Sequence, residues 1–219
     1  MRSLYLILAL VITQFAFSQS SDFQIWSSLK LKYNFNDKSN INIKQSLRTF
    51  QNSTYWRLSF TELAYSYKIN KQFKLLAGYR YAFKNAIDFV YNKQRFFADV
   101  IYTKKINKFS VKFRPRMQID IVNSSNHSIF YANREKLELS RKINRIFSAY
   151  TSTEVYFTLP SKDIIPNLYG FNKWRITGGV DIILSEAGSL KLFYRYQYGK
   201  YSLMQNSYIL GVTYKYEIN

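Results

Sequence analysis

The sequence contains no cysteine, only one histidine, and few prolines and glycines, with 3 and 7 residues respectively. The absence of cysteine excludes disulfides and thiolate metal sites, and a single histidine excludes the usual zinc-binding sets. No glycine-rich nucleotide loop is present. After the N-terminal segment, no apolar run approaches the about 20 residues that a membrane-spanning helix needs. We therefore predict neither a metal nor a cofactor.

The first apolar run lies at the N-terminus and is short. Arg2 supplies a basic start, residues 4–17 are mostly apolar, and Ala16 and Ser18 are small residues of the kind that precede a cleavage site. The pattern predicts a cleaved signal peptide over residues 1–18; an uncleaved membrane anchor is the alternative. No linker composition divides the rest, so residues 19–219 are predicted to form a single domain.

Basic residues greatly outnumber acidic ones, and the formal net charge is +19. Such a charge can indicate nucleic-acid binding, but the export signal argues against a nucleic-acid partner. A basic protein outside the cell would instead attract anionic lipopolysaccharide. Tyrosine is abundant, with 20 residues, and Tyr and Trp favour membrane interfaces. We therefore predict that Trp26, Trp56 and Trp174 belong to aromatic girdles.

Apolar and polar residues alternate through most of the chain. Lys112, Arg114 and Arg116 share one face of a predicted strand, and Phe113 and Met117 share the other. A shift of the register by one residue would turn these cations toward lipid. Each would then destabilise the barrel by about 2–4 kcal/mol near the bilayer midplane. Eleven strands are predicted, over residues 22–34, 41–50, 56–68, 72–83, 95–104, 109–122, 134–141, 146–157, 173–183, 189–198 and 207–217.

The connections between these strands alternate between short turns and longer segments, as in outer-membrane barrels. The sequence therefore predicts an all-β fold, an antiparallel up-and-down transmembrane β-barrel of about 10–12 strands. Bacterial barrels have an even number of strands with both termini in the periplasm, so we expect that one strand is missed or overcalled. Pro115 lies within a strand, where a local bulge is expected, and glycines in strands, such as Gly78, are expected to relieve crowding.

Several segments also resemble a known family. Trp26 with Leu29 and Leu31, Leu47-Arg48, the run from Leu63 to Lys71, and Gly78-Tyr79-Arg80-Tyr81 are similar to an uncharacterised family of bacterial outer-membrane β-barrels, catalogued as a domain of unknown function. The resemblance implies a barrel in the outer membrane of a Gram-negative bacterium and no assigned reaction. The final residues, Glu217-Ile218-Asn219, depart from the terminal aromatic that is usual in such barrels.

The strand pattern assigns many charged side chains to the barrel interior. A narrow interior must pair these charges or keep them hydrated. Two interpretations remain open: an anion-preferring conduit, or a rigid barrel plugged by its own ion pairs. The predicted lumen-facing basic residues are Arg48, Arg80, Arg114, Arg116, Arg175 and Arg195, and the predicted lumen-facing acidic residues are Glu62, Asp99, Asp120, Glu138, Glu154 and Asp181.

Two further function classes stay open. His127 lies beside serines in a predicted polar loop, which gives a Ser/His hydrolase acting on outer-membrane lipid as one alternative, although no Gly-x-Ser-x-Gly elbow occurs. We predict no catalytic residue and no enzyme activity. The other class is a secreted soluble β-sandwich or lipocalin-like binder. For the barrel, we expect outer-membrane lipids, lipopolysaccharide and the barrel-insertion machinery as partners.

Overall fold

The structure, a computed structural model, describes residues 21–124, 127–163, 168–201 and 206–218. The predicted signal peptide over residues 1–18 lies outside these residues. Within the described ranges, no helix is both long and apolar enough to span a membrane.

Eleven β-strands follow one another along the described chain and close into one barrel. Each strand pairs with its neighbours in sequence, and β1 also pairs with β11. The predicted all-β barrel of 10–12 strands is confirmed. The strands are β1 (Ser21–Asn34), β2 (Ser39–Phe50), β3 (Tyr55–Lys68), β4 (Phe73–Asn85), β5 (Val90–Ile106), β6 (Phe109–Asn123), β7 (His127–Lys142), β8 (Phe147–Leu159), β9 (Gly170–Ile183), β10 (Gly188–Gly199) and β11 (Asn206–Ile218).

The closure between the first and last strands differs from the prediction. We expected an even number of strands, all antiparallel, but β1 and β11 pair in parallel, from Ser21 opposite Asn206 to Tyr33 opposite Ile218. With eleven strands, the first and the last necessarily run in the same direction. The expectation that one strand was missed or overcalled is therefore wrong for the described chain. Ser21 and Ile218 lie at opposite ends of the barrel, not at one end.

The tight turns gather at one end of the barrel, here called the turn end. Asn36, Asn70 and Asn144 occupy the same position in three of these turns, and each side-chain oxygen accepts hydrogen bonds from the backbone N–H groups two and three residues later, at 2.7–2.9 Å. Asparagine favours such turns because its side chain imitates a backbone carbonyl. These local bonds fix where the following strand begins.

The opposite end, here called the loop end, carries connections that are shorter than predicted. β5 begins at Val90 and β7 at His127, so the predicted long connections over 84–94 and 123–133 shrink to 86–89 and 124–126. Pairing with the neighbouring strands overrides the polar composition of these segments. Of the predicted long connections, 160–169 and 200–205 exceed the length of the tight turns.

Pro115 interrupts one ladder without shifting its register. β5 and β6 pair Asp99 with Arg116 and Tyr102 with Phe113, while Val100 and Ile101 have no ladder partner on β6. The expected bulge at Pro115 is therefore wrong: the proline lacks an N–H and leaves a gap, but both flanking pairs keep one register. The register shifts lie elsewhere, at Arg48/Thr49 and at Tyr156/Phe157.

The two faces of the barrel wall differ in polarity as the alternation predicts. Outward-facing apolar side chains are exposed in every strand, among them Leu29, Leu63, Leu75 and Leu210. Buried positions are largely polar, including Gln24, Arg116 and Asp120. A soluble protein buries its apolar face, so this distribution is that of a barrel whose outer surface meets hydrocarbon.

Three inward-facing aromatic rings lie flat against glycines of the adjacent strand. Phe97 covers Gly78, Tyr150 covers Gly179, and Phe193 covers Gly211, each glycine being the direct register partner of the ring. A Cβ on any of these glycines would collide with the ring, so the predicted relief of crowding is confirmed here. Gly178, by contrast, faces outward and a Cβ there would meet nothing within 4 Å.

The adjacent glycines of β9 provide a matched test of this packing. We expect Gly179→Ala to lower the free energy of unfolding by about 2 kcal/mol, because its Cβ would overlap the Tyr150 ring and the Leu192 carbonyl. Gly178→Ala should change it by less than about 0.5 kcal/mol. Urea unfolding in detergent micelles, followed by tryptophan fluorescence, measures both. Equal losses for the two variants would contradict the role of the close approach.

Candidate functional site: a basic lumen

The inward faces of all eleven strands enclose a cavity of about 740 Å³. It extends from Tyr91 and Tyr201, near the loop end, to Lys44 and Lys136 deeper in the barrel. Cavities of about 300–1,000 Å³ accommodate small organic molecules. The lumen is therefore wide enough, in this half of the barrel, for a solute larger than a single inorganic ion.

Positive charge dominates the wall of this cavity. Fourteen lining residues are basic and four are acidic, so the wall carries a large uncompensated positive charge. The acidic residues are Asp22, Glu62, Asp120 and Glu154. The basic residues are Lys44, Arg48, Arg57, Arg80, Lys84, Lys93, Arg95, Arg114, Arg116, Arg134, Lys136, Lys173, Arg175 and Arg195.

Glu154 on β8 is the most heavily shared carboxylate in the lumen. It accepts hydrogen bonds from Arg114 at 2.9 Å, Arg134 at 2.7 Å and Arg175 at 3.3 Å, and from the Tyr156 hydroxyl at 2.8 Å. These arginines come from β6, β7 and β9. One buried anion thus holds three guanidinium groups from three strands, and their mutual repulsion opposes any loss of that anion.

The other interior carboxylates each serve a smaller group of cations. Asp99 receives two hydrogen bonds from Arg116, at 2.6 and 2.7 Å, in the bidentate geometry typical of arginine. Asp120 pairs with Arg95 and Lys93, and Glu62 pairs with Arg80. Glu138 pairs with Lys112 at 2.8 Å and Lys136 at 2.6 Å.

Many of the interior cations lie over the faces of aromatic rings. The guanidinium or ammonium groups lie over ring faces at distances where cation–π attraction is appreciable. Three of these rings are the ones that rest on glycines, so wall, ring and cation form a stack in which the backbone sets the position of the charge. The pairs are Arg48 over Trp26 at 3.8 Å, Arg80 over Phe60 at 3.8 Å, Arg116 over Phe97 at 3.9 Å, Lys191 over Tyr150 at 3.5 Å, and Arg195 over Phe193 at 4.9 Å.

The residues that the sequence assigned to the lumen lie as follows. Arg48, Arg80, Arg114, Arg116, Arg175 and Arg195 line the cavity, as do Glu62, Asp120 and Glu154. Asp99 and Glu138 do not line it but pair with cations that do. Asp181 lies apart, near the end of β9, and pairs with Lys191 at 3.4 Å.

Sequence reasoning misplaced one tryptophan. Trp26 was predicted to belong to an interface girdle, but it points into the lumen, where it is buried beneath Arg48 and donates a hydrogen bond to Gln24 at 2.9 Å. The alternation on β1 contained the signal, since Trp26 shares its face with Gln24 and Lys30. Trp56 and Trp174 are exposed on the outer side. Arg57 and Lys173, near the strand ends, were also absent from the predicted lumen set.

His127 lies on the rim of the barrel, at the start of β7 and not in a loop. It is exposed, and its Nδ1 lies 2.8 Å from the Asn123 side-chain oxygen, within the same hairpin. Its strand position gives it the same outward direction as Ile129. The described residues therefore place this histidine outside the charged lumen.

The comparisons with known proteins agree with the barrel. Residues 23–208 match a family model described as "Protein of unknown function (DUF2490)". None of the proteins with curated functions matches the sequence significantly. The family resemblance seen in the sequence is thereby confirmed.

Solved structures resemble the fold at low sequence identity. The NanC porin has a TM-score of 0.54 and 13% identity, covering 85% of this chain and 93% of its own. LpxR from Salmonella typhimurium has a TM-score of 0.50 and 7% identity, covering 82% and 83%. The beta domain of the Bordetella autotransporter Brka has a TM-score of 0.50 and 12% identity, covering 81% and 82%. At these identities the likeness shows the fold alone.

Glu154 allows a direct test of the ion-pair scaffold. We expect Glu154→Gln to lower the free energy of unfolding by about 3 kcal/mol, because the buried Arg134 and Arg175 and the half-buried Arg114 lose their common anion. Glu186→Gln is the matched control, because Glu186 is exposed in the turn 184–187 and lies outside the lumen. Urea unfolding in detergent compares them. A loss for Glu154→Gln no greater than that of the control would mean that water, not Glu154, compensates these arginines.

Proposed function

We propose that this chain, which belongs to the DUF2490 family of proteins of unknown function, is a narrow anion-preferring conduit in the outer membrane of a Gram-negative bacterium. One observation carries the proposal: the cavity wall has fourteen basic and four acidic residues. A lumen that served only as a rigid plug would be expected to pair its charges more evenly, because each unpaired buried charge is costly.

The arrangement of the basic residues supports anion entry. Arg57, Lys84 and Lys173, near the loop end, form no ion pair with a carboxylate in the described part of the chain. We call these three the mouth cations. A lumen lined by one sign of charge raises the local concentration of counter-ions, and rings of Arg and Lys favour anions in pores. Solutes arriving from the loop end would meet the mouth cations first.

The outer surface supports a membrane location. Apolar side chains are exposed all around the barrel, and Trp56 and Trp174 lie among them. The likeness to the NanC porin is consistent with a pore, although fold does not fix function. The partners that follow from this location are outer-membrane lipids, lipopolysaccharide and the barrel-insertion machinery. The proposal gives His127 no catalytic role, since it is exposed and contacts Asn123.

The cysteine-free sequence allows the membrane topology to be tested with single cysteines. By the rule for bacterial barrels, the turn end faces the periplasm and the loop end faces outward. We expect Lys162→Cys, in the connection 160–169, to react with a membrane-impermeant maleimide on intact cells. Lys71→Cys, in the turn 69–72, should react only after permeabilisation. The reverse pattern would contradict the orientation, and recovery of the protein in the soluble fraction would contradict the barrel's insertion.

Planar-bilayer recordings test conduction. We expect discrete current steps whose reversal potential in a salt gradient indicates anion preference. Lys173→Glu should lower the anion-to-cation permeability ratio about threefold, since it reverses a charge in the lumen. Lys71→Glu makes the same change in net charge on an exposed turn, outside the lumen, and should leave the ratio unchanged. Cation preference, or silence from protein shown to be folded, would overturn the conduit.

A further inference from the structure

The cations of the cavity divide into two groups by their partners. Below the mouth, each lining cation on β4 to β9 pairs with Glu62, Asp99, Asp120, Glu138 or Glu154. Lys44 and Arg48 on β2, and Arg195 on β10, have no ion pair with any carboxylate of the described residues. The cavity cations on one side of the lumen are thus ion-paired, and those on the side formed by β10, β11, β1 and β2 are not; we call these two sides the compensated and the uncompensated wall.

Two further lysines lie in register with Lys44 below the cavity. Lys44 lies directly opposite Lys30 of β1, and Lys30 lies directly opposite Lys215 of β11. Like charges in direct register normally destabilise a sheet. In the described part of β11, β1 and β2, inward-facing carboxylates occur only near the strand ends, at Asp22 and Glu217. Lys215 pairs with Glu217, and Lys44 lies opposite Glu62 of β3, which pairs with Arg80. Lys30 and Lys44 themselves form no ion pair with a carboxylate of the described residues.

Among these cations, Arg48 is the one whose guanidinium group is most available to a ligand. Its guanidinium stacks on Trp26 at 3.8 Å and lies 5.0 Å from the Phe60 ring, and its Nε is buried without a hydrogen-bond partner. Arg195 also borders Trp26, at 5.1 Å. A guanidinium held by aromatic faces keeps its planar set of donors available for carboxylate or phosphate oxygens.

We propose that anions move along this uncompensated wall, with Arg48, Lys44 and Lys30 as successive binding sites, while the ion-paired wall is a scaffold. The inference rests on the proposed entry of anions into the lumen. Arg48 and Lys44 lie four residues apart on one strand, about 13 Å, and Lys30 lies beside Lys44. Several weak sites in sequence let a solute both enter and leave. The ligand class is a small solute carrying a carboxylate or phosphate group.

Trp26 supplies a probe of the wall itself. In a Trp56→Phe/Trp174→Phe background, Trp26 is the remaining tryptophan, and iodide quenching of its emission in detergent reports the anion concentration beside Arg48. We expect Lys44→Gln to lower the iodide quenching constant about threefold at low ionic strength. Quenching by neutral acrylamide should not change. Lys136→Gln is the matched control, because it removes a cavity cation from the compensated wall and leaves Glu138 paired with Lys112.

The outcomes separate this inference from the proposed function. A lower iodide quenching constant for Lys44→Gln alone supports the anion-binding wall, whereas an equal decrease for both variants, or no decrease for Lys44→Gln, overturns it. If the folded protein gives no current in bilayers but the quenching constant falls only for Lys44→Gln, the conduit is overturned and the wall remains an anion-binding site. If the protein conducts but both variants lower the quenching constant equally, only the wall is overturned. Acetate and inorganic phosphate, added as competitors of iodide, distinguish the two oxyanions, and failure of both to compete would overturn the assigned ligand class.

Discussion

The structure depends on the cost of bringing a charged side chain into hydrocarbon. A strand has only two faces, so the same alternation that turns Leu63 and Leu75 outward turns Glu62 and Arg80 inward. The penalty of about 2–4 kcal/mol for one lysine or arginine at the bilayer midplane is multiplied by the several cations on each strand. The lipid-facing surface therefore fixes the register, and the register decides which charges meet in the lumen.

Once the charges are inside, glycine and aromatic residues set their positions. Phe97, Tyr150 and Phe193 each occupy the space that a Cβ on the neighbouring glycine would fill. Each ring lies against the wall and carries a cation on its exposed face. The lumen is thus lined by cations whose distance from the backbone is set by the thickness of a ring. Arg195 gains a defined position in this way without an ion pair, whereas Arg116 and Lys191 also pair with Asp99 and Asp181.

The sequence predicted the features that are governed by period and charge. The eleven strand segments, the faces of Arg114 and Arg116, and the short turns between strands all follow from local pattern, whereas the even strand number expected of the closed barrel was wrong. The partners of Glu154 could not be predicted, because its three arginines come from three strands whose pairing depends on the whole barrel. The predicted starts of β5 and β7 lie too far along the chain. Lysine and asparagine are typical of loops, but here pairing with a neighbouring strand extends the strand through them. Trp26 was misassigned by residue type, although its position in the alternation indicated the lumen.

Pro115 leaves a short gap in the ladder between β5 and β6. Val100 and Ile101 pair with β4 but not with β6, while β6 stays paired with β7 throughout. The gap is local, because the ladder resumes in the same register on both sides of it and Asp99 pairs with Arg116 directly beside it. A membrane-spanning strand can therefore lack one backbone donor where an inward ion pair joins the same two strands.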